Sequence, residues 1–92
     1  MPHPDDVCVL VPTLDESETI GEVVSGYREE GFGNVLVVDG GSTDGTREAA
    51  TDAGARVVLQ SGTGKGQAVR EAVRDHIDAP YVLMVDGDGT YL

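Results

Sequence analysis

With 92 residues and 39% hydrophobic content, the chain has material for one small domain with a modest core and none for a second. The formal charge of −11, from 17 acidic against 6 Lys and Arg side chains, argues against nucleic acid or an anionic membrane surface as a partner. Cys8 is the single cysteine and falls in an apolar run, which leaves no disulfide framework or thiolate metal site.

The acids are spread over loops and expected helix faces rather than gathered in a tail. They read as a solvated surface or, more sharply, as a halophilic one adapted to a high-salt cytoplasm, where screening suppresses self-repulsion. There is no run of 18 apolar residues and no basic start followed by an apolar stretch, so neither a transmembrane helix nor a secretory signal is expected, and the expected location is cytoplasmic.

Residues 1–6, with two prolines and two acids, read as a flexible lead-in, and the expected domain spans residues 7–92. Val7 to Val11 is a continuous apolar strand. Ile20, Val23, Val24 and Tyr27 follow at the spacing of one helical stripe, with Asp15 and Glu18 placed like a capping box and Gly31 and Gly33 ending the helix. Val35 to Val38 is a second strand. Thr46, Ala49, Ala50 and Ala53 make a second stripe of small residues that lets the helix lie close to a sheet, closed by Gly54. Val57 to Leu59 is a short third strand, Val69, Ala72, Val73 and Ile77 mark a third helix, and Tyr81 to Val85 follows Pro80 as the fourth strand.

The order β-α-β-α-β-α-β forces parallel strands with right-handed crossovers, and continuous apolar strands require cover on both faces. The predicted class is α/β, a Rossmann-like three-layer α/β/α sandwich with a parallel sheet in the order 3-2-1-4. In that order the winding reverses between strands one and four, so a ligand crevice is expected where Pro12 to Glu16 meets Asp86 to Asp88.

Four loops follow strands on that rim. Pro12-Thr13-Leu14-Asp15-Glu16 could read a base edge or a ribose through main-chain groups and the Glu16 carboxylate; alone it is equally a turn with a helix cap. In Asp39-Gly40-Gly41-Ser42-Thr43-Asp44-Gly45-Thr46, the glycines allow close approach of a ligand. Asp39 at the strand end is the ligand candidate, and Asp44 reads as a cap for the next helix. Ser61-Gly62-Thr63-Gly64-Lys65-Gly66 fails as a Walker A loop, because Leu59 and Gly66 stand where Gly and Ser or Thr are needed. It remains a glycine-rich helix start with one cation, suited to a pyrophosphate or to a plain turn. Last, Asp86-Gly87-Asp88 ends an apolar strand with two carboxylates one residue apart. They repel unless a cation lies between them, and oxygen-only donors suit Mg²⁺ or Mn²⁺ carried by a diphosphate.

Together, Pro-Thr-Leu-Asp-Glu, Val-Val-Asp-Gly-Gly-Ser-Thr-Asp-Gly-Thr, the Gly-Lys-Gly helix start and Asp-Gly-Asp resemble the nucleotide-binding half of family-2 inverting glycosyltransferases, most closely the dolichyl-phosphate mannose or glucose synthases. The resemblance runs from Val7 to Leu92 and implies a GT-A fold, a GDP- or UDP-sugar donor and a divalent metal. It implies that Pro12, Leu14, Glu16 and Asp39 hold the nucleoside, that Asp86 meets the ribose and the metal, and that Asp88, across Gly87, ligates the metal on the diphosphate, with Lys65 assisting. Gly40 stands where the family often has a second acid, Asp15 where it often has Asn, and Thr90 where related synthases commonly place Gln.

The resemblance also implies that the acceptor region and the general base lie beyond Leu92, so this segment is expected to bind donor without turning over an acceptor, and any membrane association is expected outside it. An exposed edge on strand four is expected to self-associate. Two other enzymes are rivals: a haloacid-dehalogenase phosphatase, whose strand-Asp-x-Asp-Gly-Thr motif matches Asp86 to Thr90, and a sugar nucleotidyltransferase, whose Arg-containing first loop is lacking. A nucleotide-binding module without catalysis is the non-enzymatic alternative.

Overall fold

The computed structural model describes residues 3–60 and 65–87. Strands β1 (Val7–Thr13), β2 (Val35–Asp39), β3 (Arg56–Leu59) and β4 (Tyr81–Met84) alternate with helices α1 (Ile20–Glu29), α2 (Thr46–Asp52) and α3 (Lys65–Asp75). All pairings are parallel and the order is β3-β2-β1-β4, as the apolar strands and helical crossovers predict.

Strand side chains alternate between two cores. Val9, Val11, Val35, Val37 and Val85 pack with Ile20 and Val24 of α1 and Ala50 of α2. Cys8, Leu10, Leu36 and Val38 pack with Ala72 of α3, and Val69 and Ile77 add to that side. The sheet is thus sandwiched, α1 and α2 on one face and α3 on the other. Cys8 is fully buried, and that burial pushes its thiol pKa up, consistent with an inert core residue.

Ahead of β1 the chain forms a 3-10 turn at Pro4–Asp6, with the His3 carbonyl accepting from the Asp6 amide at 2.8 Å. Several local expectations are corrected. Strand β1 runs two residues further than expected and takes in Pro12, opposite Val38. The pairing shows why a central strand tolerates proline there. The Val9 amide and the Thr13 carbonyl bond toward β2, whereas the Leu10 carbonyl accepts from Val85 on the β4 side. By alternation the missing Pro12 donor faces β4, whose pairing with β1 ends at Leu10.

The Asp15–Glu18 capping box does not form. Asp15 adopts φ 53°, a left-handed conformation that Asp and Asn tolerate best, and α1 begins only at Ile20 with Thr19 at its N-cap. In α3 the buried face runs through Glu71 and Ala72, which rotates Val73 outward to 50% exposure.

Candidate functional site

The carboxyl ends of β1, β2 and β4 meet on one rim, and the residue that organises them is Asp39. Its side chain is fully buried at the end of β2. One oxygen accepts from the Thr13 hydroxyl at 2.8 Å and from the Ser42 hydroxyl; the other accepts from the amides of Gly41 at 3.1 Å and Ser42 at 2.7 Å. Arg47 Nε lies 3.7 Å from that second oxygen and supplies the countercharge. Burial pushes the Asp39 pKa up, but the bonds from Ser42, Thr13 and Gly41 outweigh it and hold the carboxyl below its ordinary value.

Hydroxyls then stitch the second loop to the first. Ser42 Oγ accepts from the Asp15 amide at 2.8 Å, Thr46 Oγ1 from the Glu16 amide at 2.8 Å, and Asp44 Oδ2 from the Ser17 amide at 3.1 Å. In return Asp15 Oδ1 accepts from the Thr43 amide at 3.0 Å. This reciprocal use of its carboxylate is why Asp15 is not available to cap α1. Asp44 does act at the start of α2, accepting from the Thr46 hydroxyl and from its amide at 3.1 Å, and these bonds with Ser17 lower its pKa to about 2.

The β4 end joins through Gly87. A Cβ there would come to 3.0 Å from Glu16 Cγ and Cδ and 3.1 Å from Thr13 Cγ2, so a side chain at this position would have to push those two aside. The Gly87 carbonyl accepts from the Thr19 hydroxyl at 2.8 Å. Glu16, Asp39 and Gly87 are therefore linked through Thr13 in one patch at the switch point between β1 and β4. Leu14 stands beside them, 59% exposed, and Pro12 is buried in the strand. Asp86 is half-buried at the end of β4 and offers a hard oxygen donor suited to Mg²⁺ or Mn²⁺. Its companion Asp88 lies outside the described residues, as does the side chain of Lys65. Among the described residues no group of three metal-ligating side chains forms.

A depression of about 380 Å³ runs along the first loop, lined by Asp15, Glu16, Ser17, Glu18, Thr19 and Asp44. Its carboxylates repel a bare diphosphate, so a phosphate seat on this rim requires a cation. Ser42, Thr46, Thr13 and Thr19 were not singled out from the sequence. The signal for Ser42 was present: an Asp followed two and three residues later by amides it can accept from is the Asx pattern.

The description Glycosyl transferase family 2 matches residues 8–92. The chain belongs to glycosyl transferase family 2. Among relatives of this family, glycosyltransferase AglJ of Haloferax volcanii is 76% identical over 99% of this chain and 30% of its own length. The dolichyl-phosphate hexose transferase of the same organism is 40% identical over 95% of this chain and 38% of its own. The chain thus spans about a third of these two relatives. Among solved structures, glucosyl-3-phosphoglycerate synthase from Mycobacterium tuberculosis in complex with Mg²⁺ and uridine-diphosphate superposes with a TM-score of 0.80 at 29% identity, covering 88% of this chain and 32% of that one. The same enzyme is also solved with Mn²⁺ and uridine-diphosphate-glucose. The sheet order and three-layer architecture are those of the GT-A fold. The phosphatase reading finds no support: family 2 accounts for the first two loops as well as the Asp86 segment.

Because the folded Asp39 and Asp44 pKa values lie below the ordinary 3.8, their contribution to stability is present above that pH and is lost as pH falls through the folded values. Unfolding monitored by circular dichroism from pH 6 to about 2 is expected to show this acid loss, with a shallower pH dependence in Asp39→Asn; equal slopes in both proteins would contradict it.

Proposed function

We propose that this chain is the donor-binding part of an inverting glycosyltransferase that takes a nucleoside-diphosphate sugar with Mg²⁺ or Mn²⁺. The observation that carries the reading is the joining of Glu16, the Asp39 loop and Gly87 at the β1–β4 switch point, in a fold whose solved relative holds UDP with either cation. Pro12, Leu14 and Glu16 frame the nucleoside. Asp39, whose oxygens are already engaged by its own loop, serves it by fixing Gly40 and Gly41 against the first loop.

Asp86 is assigned to the ribose and the metal, Asp88 to the metal on the diphosphate, and Lys65 to the phosphates. The cation supplies Lewis-acid neutralisation of charge growing on the leaving diphosphate, worth on the order of several kcal/mol. Inversion requires the acceptor to attack the anomeric carbon opposite the breaking bond to the diphosphate. The groups that orient the acceptor, together with the base that an acceptor with an un-ionised hydroxyl needs, worth roughly 10²–10⁴-fold, are assigned to the portion of the relatives outside the matched span. A polyprenyl or dolichyl phosphate is the acceptor class, supported by the 40% identical hexose transferase.

Nucleotide sugars being cytoplasmic metabolites, we assign the site to the cytoplasm; among the described residues no helix is long and apolar enough to cross a membrane. The acidic surface fits a high-salt interior.

Titration calorimetry with UDP and GDP is expected to show binding to at least one of them that strengthens in Mn²⁺ and loses that metal-dependent part in Asp88→Ala and Asp86→Asn. Binding that is indifferent to Mn²⁺ would contradict the metal assignment. The outer edge of β4, where Tyr81 and Val82 are 53% and 40% exposed, is proposed to self-pair. Sedimentation velocity is expected to show concentration-dependent association that weakens in Val82→Lys; a monomer at all concentrations would overturn this.

A further inference from the structure

Thr19 occupies the N-cap of α1, where a threonine side chain ordinarily accepts from an amide two or three residues on. Here it makes no such bond. Its hydroxyl has one proton to donate, and the near acceptor is the Gly87 carbonyl at 2.8 Å, 68 residues away; the Glu16 carbonyl at 3.4 Å is the weaker alternative. The helix forgoes its side-chain cap, and the first loop holds the segment that follows β4. The bond lies at the site and not behind it, because Thr19 stands with Glu16 on the wall of the depression along the first loop.

Gly87 separates the two carboxylates assigned to the cation. It is buried, and Glu16 Cγ and Cδ at 3.0 Å and Thr13 Cγ2 at 3.1 Å from the place of a Cβ explain why a residue without one stands there. That choice has a cost. Glycine has the freest backbone of any residue, and the like charges on either side of it repel, so without a cation the two acids are driven apart. The Thr19 bond opposes both effects. A carbonyl oxygen lies in the plane of the peptide that follows it, so holding the Gly87 oxygen fixes the direction in which the chain leaves toward Asp88.

We propose that Thr19 is a positioning residue for the divalent cation: through the Gly87 carbonyl it sets the relation of Asp86 to Asp88 before the metal arrives. This rests on the donor-binding reading above and goes beyond it by naming a hydroxyl of the first loop, outside the assigned ligands, on which metal affinity depends. A bond already made in the free protein spares the cation the ordering of a glycine between its ligands. Loss of the hydroxyl therefore weakens the metal-dependent part of donor binding and leaves the part that the nucleoside makes alone.

The test is titration of the unaltered chain, Thr19→Val, Thr19→Ala and Thr19→Ser with Mn²⁺ at fixed UDP and at fixed GDP, beside titration with each nucleotide in EDTA. Valine keeps the branched shape without the hydroxyl; serine keeps the hydroxyl. Thr19→Val and Thr19→Ala are expected to need about fivefold or more Mn²⁺ for half of the metal-dependent binding, with binding in EDTA unchanged, and Thr19→Ser to stay within about twofold of the unaltered chain. Equal weakening with and without Mn²⁺ marks Thr19 as a nucleotide contact or a fold residue and overturns the inference while leaving donor binding in place. An unchanged Mn²⁺ requirement in Thr19→Val and Thr19→Ala overturns it as well, as does a Thr19→Ser protein as weak as Thr19→Ala, or failure of both Thr19→Val and Thr19→Ala to melt cooperatively. If the unaltered chain binds neither nucleotide, or binds them without regard to Mn²⁺, the donor-binding reading itself falls and this inference with it.

Discussion

The buried carboxylate of Asp39 is the constraint on which the rim depends. A desolvated charge at the end of a central strand is tolerable only when its lone pairs are filled and a countercharge is near. Two amides, two hydroxyls and the Arg47 guanidinium meet that demand here. The consequence reaches beyond Asp39, because Ser42 uses its oxygen twice, donating to Asp39 and accepting from Asp15. Fixing one carboxylate therefore fixes the conformation of two loops, and Thr13 carries the constraint on to the Gly87 contact at β4.

The parallel sheet makes that arrangement possible. With β1 between β2 and β4, the ends of all three open on the same side, and the helices leave from the rim in opposite senses on either side of β1. Proline enters β1 at the point where its missing donor faces the stretch beyond the pairing with β4, so the ladder loses no bond there. A polar rim prefolded in this way spares a bound donor much of the cost of ordering loops.

The fold was legible because its signals are strong and redundant. Val7–Val11 and Val35–Val38 are continuous apolar, valine-rich runs that only a two-faced sheet can bury, and the connections between them admit a parallel order alone. What failed were local patterns that a tertiary contact overrode. The spacing of Asp15 and Glu18 fits a capping box, yet Asp15 spends its carboxylate on Thr43, twenty-eight residues away, and Thr19 turns its hydroxyl to Gly87. Val73 fits the helical stripe but lies off the axis set by Ala72. At the site, the convergence of the Glu16, Asp39 and Asp86–Gly87 segments was readable from strand ends and order. The inward turn of Asp39 was not, since it depends on a side-chain direction that sequence spacing leaves open.

The most direct measurement of a preformed, carboxylate-anchored rim is amide hydrogen exchange of the ligand-free protein. The amides of Asp15, Glu16, Ser17, Gly41, Ser42 and Thr43 are expected to exchange slowly and as a set, and to speed up together in Ser42→Ala while the Leu36 and Val37 amides in β2 stay protected. Fast, independent exchange of the loop amides in the unaltered protein would contradict the claim that Asp39 holds these loops as one body.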